Sequence, residues 1–244
     1  MRAAIRAEVL KIATVRGLWI TWIVATVSIP VIVLAIVGGR GLAAGGSVVS
    51  GAVSGFLLPL LLFGVWAAAV GADEFARETI IVSIALEPRR IRLFVAKSAT
   101  VALAAVVGVA IGLAVSVPAV IMILPPGATP VGPWYALVWP PLVAAAVSVT
   151  GVAVGVAARS TLTAVGIVVI ALLFPGAAGG LLGAAQPWIA GADPSVVVAR
   201  LVHSGTIGAA ETFPAPVGLA LVIVVGVSVV IAAVAARRFV FIDI

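Results

Sequence analysis

Apolar residues run along this chain in six long stretches, parted by short polar segments. A helix needs about 20 consecutive apolar residues to cross a lipid bilayer. The stretches 18–37, 52–72, 98–122, 134–157, 162–184 and 216–236 have that character and predict six transmembrane helices. Helices satisfy every backbone N–H and C=O within one apolar segment, so the expected fold class is an all-α integral membrane protein. No domain-length repeat and no low-complexity linker divides it, and residues 1–244 predict a single transmembrane domain.

Shorter patterns refine this frame. In the basic stretch before the first span, Ile5, Val9 and Ile12 recur at i, i+4, i+7, one face of a helix. Arg2, Arg6 and Lys11 lie off that stripe, while Glu8 and Arg16 blur the polar face. An interfacial helix over about 2–16 is expected, resting on the cytoplasmic surface of the membrane. A cleaved signal peptide fits poorly, because the following apolar run exceeds the usual h-region of about 7–15 residues. Near the other terminus, Asp193-Pro194-Ser195 has the order N-cap, first position, first turn. It predicts a short external helix through Val196, Val197, Arg200, Leu201 and His203, before the sixth span. Pro30, Pro59, Pro118 and Pro175 are expected to kink their spans. The pairs Gly51/Gly55, Gly108/Gly112, Gly151/Gly155, Gly176/Gly180 and Gly179/Gly183 predict close helix packing in lipid.

Composition strengthens the membrane reading. The chain is 64% hydrophobic and only 9% charged, against about 25% charged for a soluble domain. Without cysteine there is no disulfide, thiolate metal site or cysteine nucleophile. The net charge of +6 invites a nucleic-acid reading, but the cations sit singly at span ends with no basic stripe. They report orientation instead. With the N-terminus inside, twelve Lys/Arg are cytoplasmic: Arg2, Arg6, Lys11, Arg16, Arg77, Arg89, Arg90, Arg92, Lys97, Arg159, Arg237 and Arg238. Only Arg40 and Arg200 remain outside. The positive-inside rule then predicts a multi-pass protein of the cell (plasma) membrane with both termini cytoplasmic. Trp19 and Trp22 fall near the inner interface, and Trp134, Tyr135, Trp139 and Trp188 near the outer one.

The longest polar interruption, Gly71 to Lys97, lies between the second and third spans on the inner side. Asp73, Glu74, Arg77 and Glu78 open a short helix, which ends before Pro88 because Glu87 is pushed out of the α region. Pro88 starts the next helix, and Arg89, Arg90 and Arg92 form its basic first turns. A loop anchored at lipid headgroups is the plain reading. A short amphipathic helix pair offered to a charged cytoplasmic partner is the functional one.

Glu74, Phe75, Arg77, Thr79, Leu86, Pro88, Arg90 and Lys97 together resemble the signature region of ABC-2 type transporter permeases, the membrane subunits of a class of ATP-driven exporters. The segment Ala7 to Trp19, with Glu8, Lys11 and Arg16, is similar to the N-terminal helix of that family. Size, six spans and inner termini agree along the whole chain, and Glu78 stands where the family usually has Gly. The resemblance implies a permease subunit that exports an apolar or amphipathic substrate such as a drug, lipid or peptide. It further implies a second permease subunit, identical or paralogous, and cytoplasmic ABC ATPase subunits docked on a coupling helix. The residues implied in docking are Glu74, Phe75, Arg77, Glu78, Thr79, Pro88, Arg89, Arg90 and Arg92.

No GxxxxGK[ST] phosphate loop is present, since neither Lys11 nor Lys97 lies in that context. The chain is therefore expected to be no enzyme itself and to hold no cofactor, with ATP and magnesium on the partner ATPase. His203, the single histidine, sits beside Ser204 in an external loop, away from the facing spans that a membrane serine protease needs. Asp193 and Glu211 lack a ligand cluster for a metal. The alternatives are a membrane-embedded enzyme, active alone, and a non-transporting sensor or assembly subunit. Besides its protein partners the chain is expected to contact membrane lipid, and no nucleic acid.

Overall fold

A computed structural model of the chain describes residues 2–42, 46–76, 90–124, 130–178, 181, 183–202 and 214–240. Among the described residues every regular element is a helix. The first, α1 (Arg2–Thr14), breaks at Val15, which is extended, before α2 (Arg16–Arg40) begins. Gly41 ends α2 at φ +72°, a left-handed value that suits a residue without Cβ. The short α3 (Val48–Ala52) is closed by a reciprocal cap: Ser47 accepts from the Ser50 amide, and Ser50 accepts from the Ser47 amide.

The second span runs later than expected, as α4 (Leu57–Ala76) rather than 52–72. Residues 53–56 form turns, with Gly55 at φ +73°. Pro59 consequently falls in the first turn of α4, where its missing N–H costs nothing and no mid-span kink is required. The third span, α5 (Arg90–Ile123), starts eight residues before the expected 98, because its polar first turns are helical too. A 3₁₀ turn over Trp134–Val138 leads into α6 (Trp139–Ala158). The next helix, α7 (Thr161–Ala177), is capped by Ser160 and stops well short of 184. Pro175 and the glycines after it make a poor continuation. Then come α8 (Gln186–Gly191), α9 (Pro194–Leu201) and α10 (Val217–Val240). Asp193 caps α9 as expected, accepting from the Ser195 amide at 2.8 Å and from the Ser195 hydroxyl. His203, placed in this helix from sequence, lies outside the described residues.

Among the described residues five helices are long and apolar enough to cross a membrane: Arg16–Arg40, Leu57–Ala76, Arg90–Ile123, Trp134–Ala158 and Val217–Val240. The expected fifth of six, α7, is a shorter apolar helix of 17 residues. Large apolar side chains face outward on several of these helices: Leu103 is 64% exposed on α5, Ile170 64% on α7 and Val222 64% on α10. Such a surface is stable only in an apolar surround, as in a multi-pass membrane protein.

The interior is organised around α6, which packs against α4, α5, α7 and α10. Its contact with α4 is the closest. A Cβ on Gly151 would lie 2.6 Å from the Gly64 carbonyl oxygen, and one on Gly155 would lie 2.4 Å from that of Ala68. A Cβ on Gly71 would in turn meet the Val152 carbonyl oxygen at 2.5 Å. The Gly151/Gly155 pair therefore serves packing within this chain. Gly108 and Gly112 play the same part between α5 and α2, facing Thr26 and Ile29. Nothing crowds Gly176. Trp66 is fully buried on α4, edge-on to Phe63 with ring centroids 6.4 Å apart.

The bundle has two unlike ends. At one, α1, the end of α4, the start of α5 and the ends of α6 and α10 converge. At the other, α3 bonds to the strand of chain at Pro130 and Val131, and α9 packs against the start of α10. Of the described Lys and Arg, only Arg40 and Arg200 belong to the second end; the rest cluster at the first.

Candidate functional site

Four charged side chains meet at the basic end, each from a segment that is otherwise apolar. Glu8 comes from the middle of α1, with Lys11 one turn on; Glu74 comes from the last turn of α4, and Lys97 from the third turn of α5. They form a closed ring in which charges alternate. Lys97 Nζ donates to Glu8 Oε2 at 2.9 Å and to Glu74 Oε1 at 2.8 Å. Lys11 Nζ donates to Glu8 Oε1 at 3.2 Å and to Glu74 Oε1 at 2.8 Å. Glu8, Glu74 and Lys97 are buried, at 1%, 4% and 5% exposure, and Lys11 closes the ring from its exposed side. Burial pushes the Lys11 ammonium toward deprotonation, yet the hydrogen bond to Glu74 and the charges of Glu8 and Glu74 outweigh it. The Lys11 pKa is raised above the ordinary lysine value.

The ring explains which face of α1 turns inward. Ala4, Ile5, Glu8, Lys11, Ile12 and Val15 are shielded, while Arg6, Val9 and Leu10 are exposed. Glu8, which blurs a polar face on a helical wheel, is in fact the most buried side chain of the helix. Arg6 and Arg16 point to the surround, as an interfacial helix requires.

Around the ring, Phe75 packs edge-on against Phe239 of α10, with centroids 6.3 Å apart and planes at 77°. Arg90 Nη1 reaches the carbonyl oxygens of Phe239 and Val240 at 3.4 and 3.3 Å. These carbonyls belong to the last turn of α10, where a cation is favoured by the helix dipole. Together these contacts join α4, α5 and α10 just beside the ionic ring.

The expected docking residues are thus split. Glu74 is not displayed on a surface helix but buried in the ring, and Phe75 and Arg90 brace α10. Arg92 is exposed at the start of α5. Arg77, Glu78, Thr79, Leu86, Pro88 and Arg89, and with them the coupling helix read from sequence, lie outside the described residues. Lys97 was read only as the residue opening a span, although a lone lysine within LFVAKSATVAL carries its own signal. An ionisable group in an apolar helix faces a partner of opposite charge.

In the ring each carboxylate already meets two ammonium groups. That geometry suits a mechanical joint better than proton transfer. Among the described residues no three His, Asp or Glu side chains are grouped to hold a metal. Compared with known proteins, the chain matches no family model and no curated protein.

Proposed function

We propose that this chain is the transmembrane permease subunit of an ABC-2 type transporter, moving an apolar or amphipathic substrate outward with energy from separate ATPase subunits. One observation carries the reading. The three segments that bear the resemblance, namely the N-terminal helix with Glu8 and Lys11, the Glu74 turn and the Lys97 turn, converge on one ionic ring. That ring flanks the 77–89 segment on both sides, so a push delivered there reaches α1, α4 and α5 together. Pairs of partly desolvated charges of this kind lose several kcal/mol when one partner is cut, about 2–5.

Six crossings accompany this reading. The end of α6 lies at the basic end of the bundle and the start of α10 at the opposite one, so the chain must traverse between them. We assign that crossing to α7, whose 17 residues would cross a core of about 30 Å with local thinning of the bilayer. The basic end then faces the cytoplasm, with both termini. Two subunits, identical or paralogous, would enclose the substrate path, and Arg77, Arg89 and Arg92 are the cations proposed to meet an ATPase. Glu74 acts from inside, through the ring.

The test is reconstitution with the cognate ABC ATPase. The tagged chain should co-purify with that ATPase and couple ATP hydrolysis to substrate export, whereas the chain alone should bind no nucleotide. Arg77→Glu combined with Arg92→Glu should abolish co-purification while leaving the chain folded and inserted. Saturable ATP binding by the lone chain, or unchanged ATPase association in the double variant, would defeat the proposal.

A further inference from the structure

On the flank away from α1, the ends of α6 and α10 and the start of α7 leave a groove of about 420 Å³ open to the outside. Its walls are apolar, from Ala153 and Ala157 on α6, Ile167 on α7 and Val234 on α10. The small alanines make the recess, since their neighbours Ile167 and Val234 stand proud at 46% and 51% exposure. The lining is not wholly apolar. Thr163 contributes a hydroxyl and Arg238 a guanidinium, and no carboxylate occurs anywhere on α6, α7 or α10. Arg159, which ends α6 in a left-handed conformation at φ 54°, and Arg237 add cations at the same end. Among the described residues no hydrogen bond or ion pair engages Arg159, Arg237 or Arg238. At this end the lysines and Arg90 are tied into specific contacts, and Arg6, Arg16 and Arg92 are exposed on other helices; here three cations face outward beside an apolar slot.

We propose that this groove is a binding site for an anionic phospholipid, one acyl chain lying between α6, α7 and α10 and the phosphate held by Arg238. Charge complementarity selects the occupant. A second copy of the chain would bring α6, α7 or α10 surfaces whose described charged residues at this level are all cations, and like charges would meet. A neutral apolar ligand would leave the guanidinium without an anion, whereas a phosphodiester offers it paired acceptor oxygens. Basic pockets between helices at the membrane surface recognise lipid headgroups in this way. The site needs only that the chain lies in a bilayer, so it stands or falls apart from the transporter reading.

The test uses the full chain purified in mild detergent and exposed to mixed vesicles of phosphatidylglycerol and phosphatidylcholine, with retained lipid counted by mass spectrometry. Wild type should retain phosphatidylglycerol about fivefold over phosphatidylcholine, the preference expected for one arginine near the headgroup plane. Arg238→Gln should lower that preference and leave total lipid little changed. Ala157→Phe should fill the groove and reduce retention of both lipids with Arg238 intact. Because Arg238 and Ala157 are exposed, neither substitution disturbs the core, and melting curves should coincide with wild type. Inorganic phosphate should fail to displace the lipid. Equal retention of the two lipids by wild type, an unaltered preference in Arg238→Gln, displacement by phosphate alone, or disulfide cross-linking between copies through Ile167→Cys would each overturn the site.

Discussion

Lys97→Met should release α1 from the bundle. Methionine keeps an unbranched stem of similar length and removes the ammonium. The lysine side chain is 7% exposed and gives up contacts of 2.9 Å to Glu8 and 2.8 Å to Glu74. Its loss turns a neutral ring into two buried carboxylates facing one ammonium. Cutting one partner of a buried pair costs about 3–5 kcal/mol, because the remaining charge is left desolvated. Lys11→Met also removes two contacts, at 3.2 and 2.8 Å, but from a side chain 40% exposed. Water and salt screen that site, and the expected loss is about 1 kcal/mol or less. The contrast between two lysines of one ring is the sharp part of the prediction. Glu8→Gln added to Lys97→Met leaves Lys11 and Glu74 as a neutral pair, so the double variant should be more stable than the sum of the singles by about 0.5–3 kcal/mol. Denaturant unfolding in mixed micelles, followed by tryptophan fluorescence, measures all four proteins. Trypsin cleavage after Arg6 reports separately whether α1 has come away. Equal losses for the two lysine variants, or strict additivity in the double variant, would refute the ring as the fastening of α1.

Two further outcomes follow from the same contacts. Gly155→Leu should prevent α6 from closing on α4, since even a Cβ would sit 2.4 Å from the Ala68 carbonyl oxygen; Gly166→Leu, with open space around it, should be tolerated, and comparable detergent stability for the two would contradict the packing. The raised pKa of Lys11 stabilises the folded state, and the sign is that of a cation: the contribution is complete below the ordinary lysine value of 10.5 and is lost as pH rises through the higher folded value. The stability gap between wild type and Lys11→Met should therefore hold steady from neutral pH up to 10.5 and shrink above it, and a gap that closes below that point would contradict the ion pairs.

Much of the fold was legible because length and hydropathy speak directly to helices in lipid. The N-cap at Asp193 was legible for a different reason: Asp-Pro-Ser satisfies local backbone donors whatever the tertiary setting. The errors at helix ends have tertiary or conformational causes. Ala52, Val53 and Phe56 read as the start of an apolar span, yet Gly55 turns the chain there. Residues 177–184 are apolar too, but Pro175 and a run of glycines stop α7 earlier. At the site, the sequence marks Glu74 as part of a docking helix and Lys97 as the opening of the third span. Their burial could not be read from either segment alone, because what makes it affordable is Glu8, distant in sequence and one of two acids among the first 73 residues. Phe239 had no sequence signal: it is one apolar residue among many, and only the return of α10 to the same end brings it to Phe75.

The remaining step concerns why charge, rather than apolar packing, fastens α1. A buried ion pair contributes little net stability compared with well-packed hydrophobic side chains, but it tolerates few alternative alignments. Glu8 uses both carboxylate oxygens, one on each lysine, so a shift of α1 by one residue along its axis would break both contacts at once. Apolar packing holds α1 less firmly: Ile12 rests against the core, but Glu8 is the single fully buried side chain of the helix among those described, and Val9 and Leu10 face outward at 49% and 62% exposure. The interior behind it is different, held by glycine contacts between α4 and α6 that leave no slack. The molecule therefore pairs a rigid core with one helix whose alignment is set by a single cluster of charges. Glu74 stands three residues before the 77–89 segment and Lys97 eight after it. Under the proposed coupling, a force on that segment would reach the ring first, and α1 is the helix that the ring fastens.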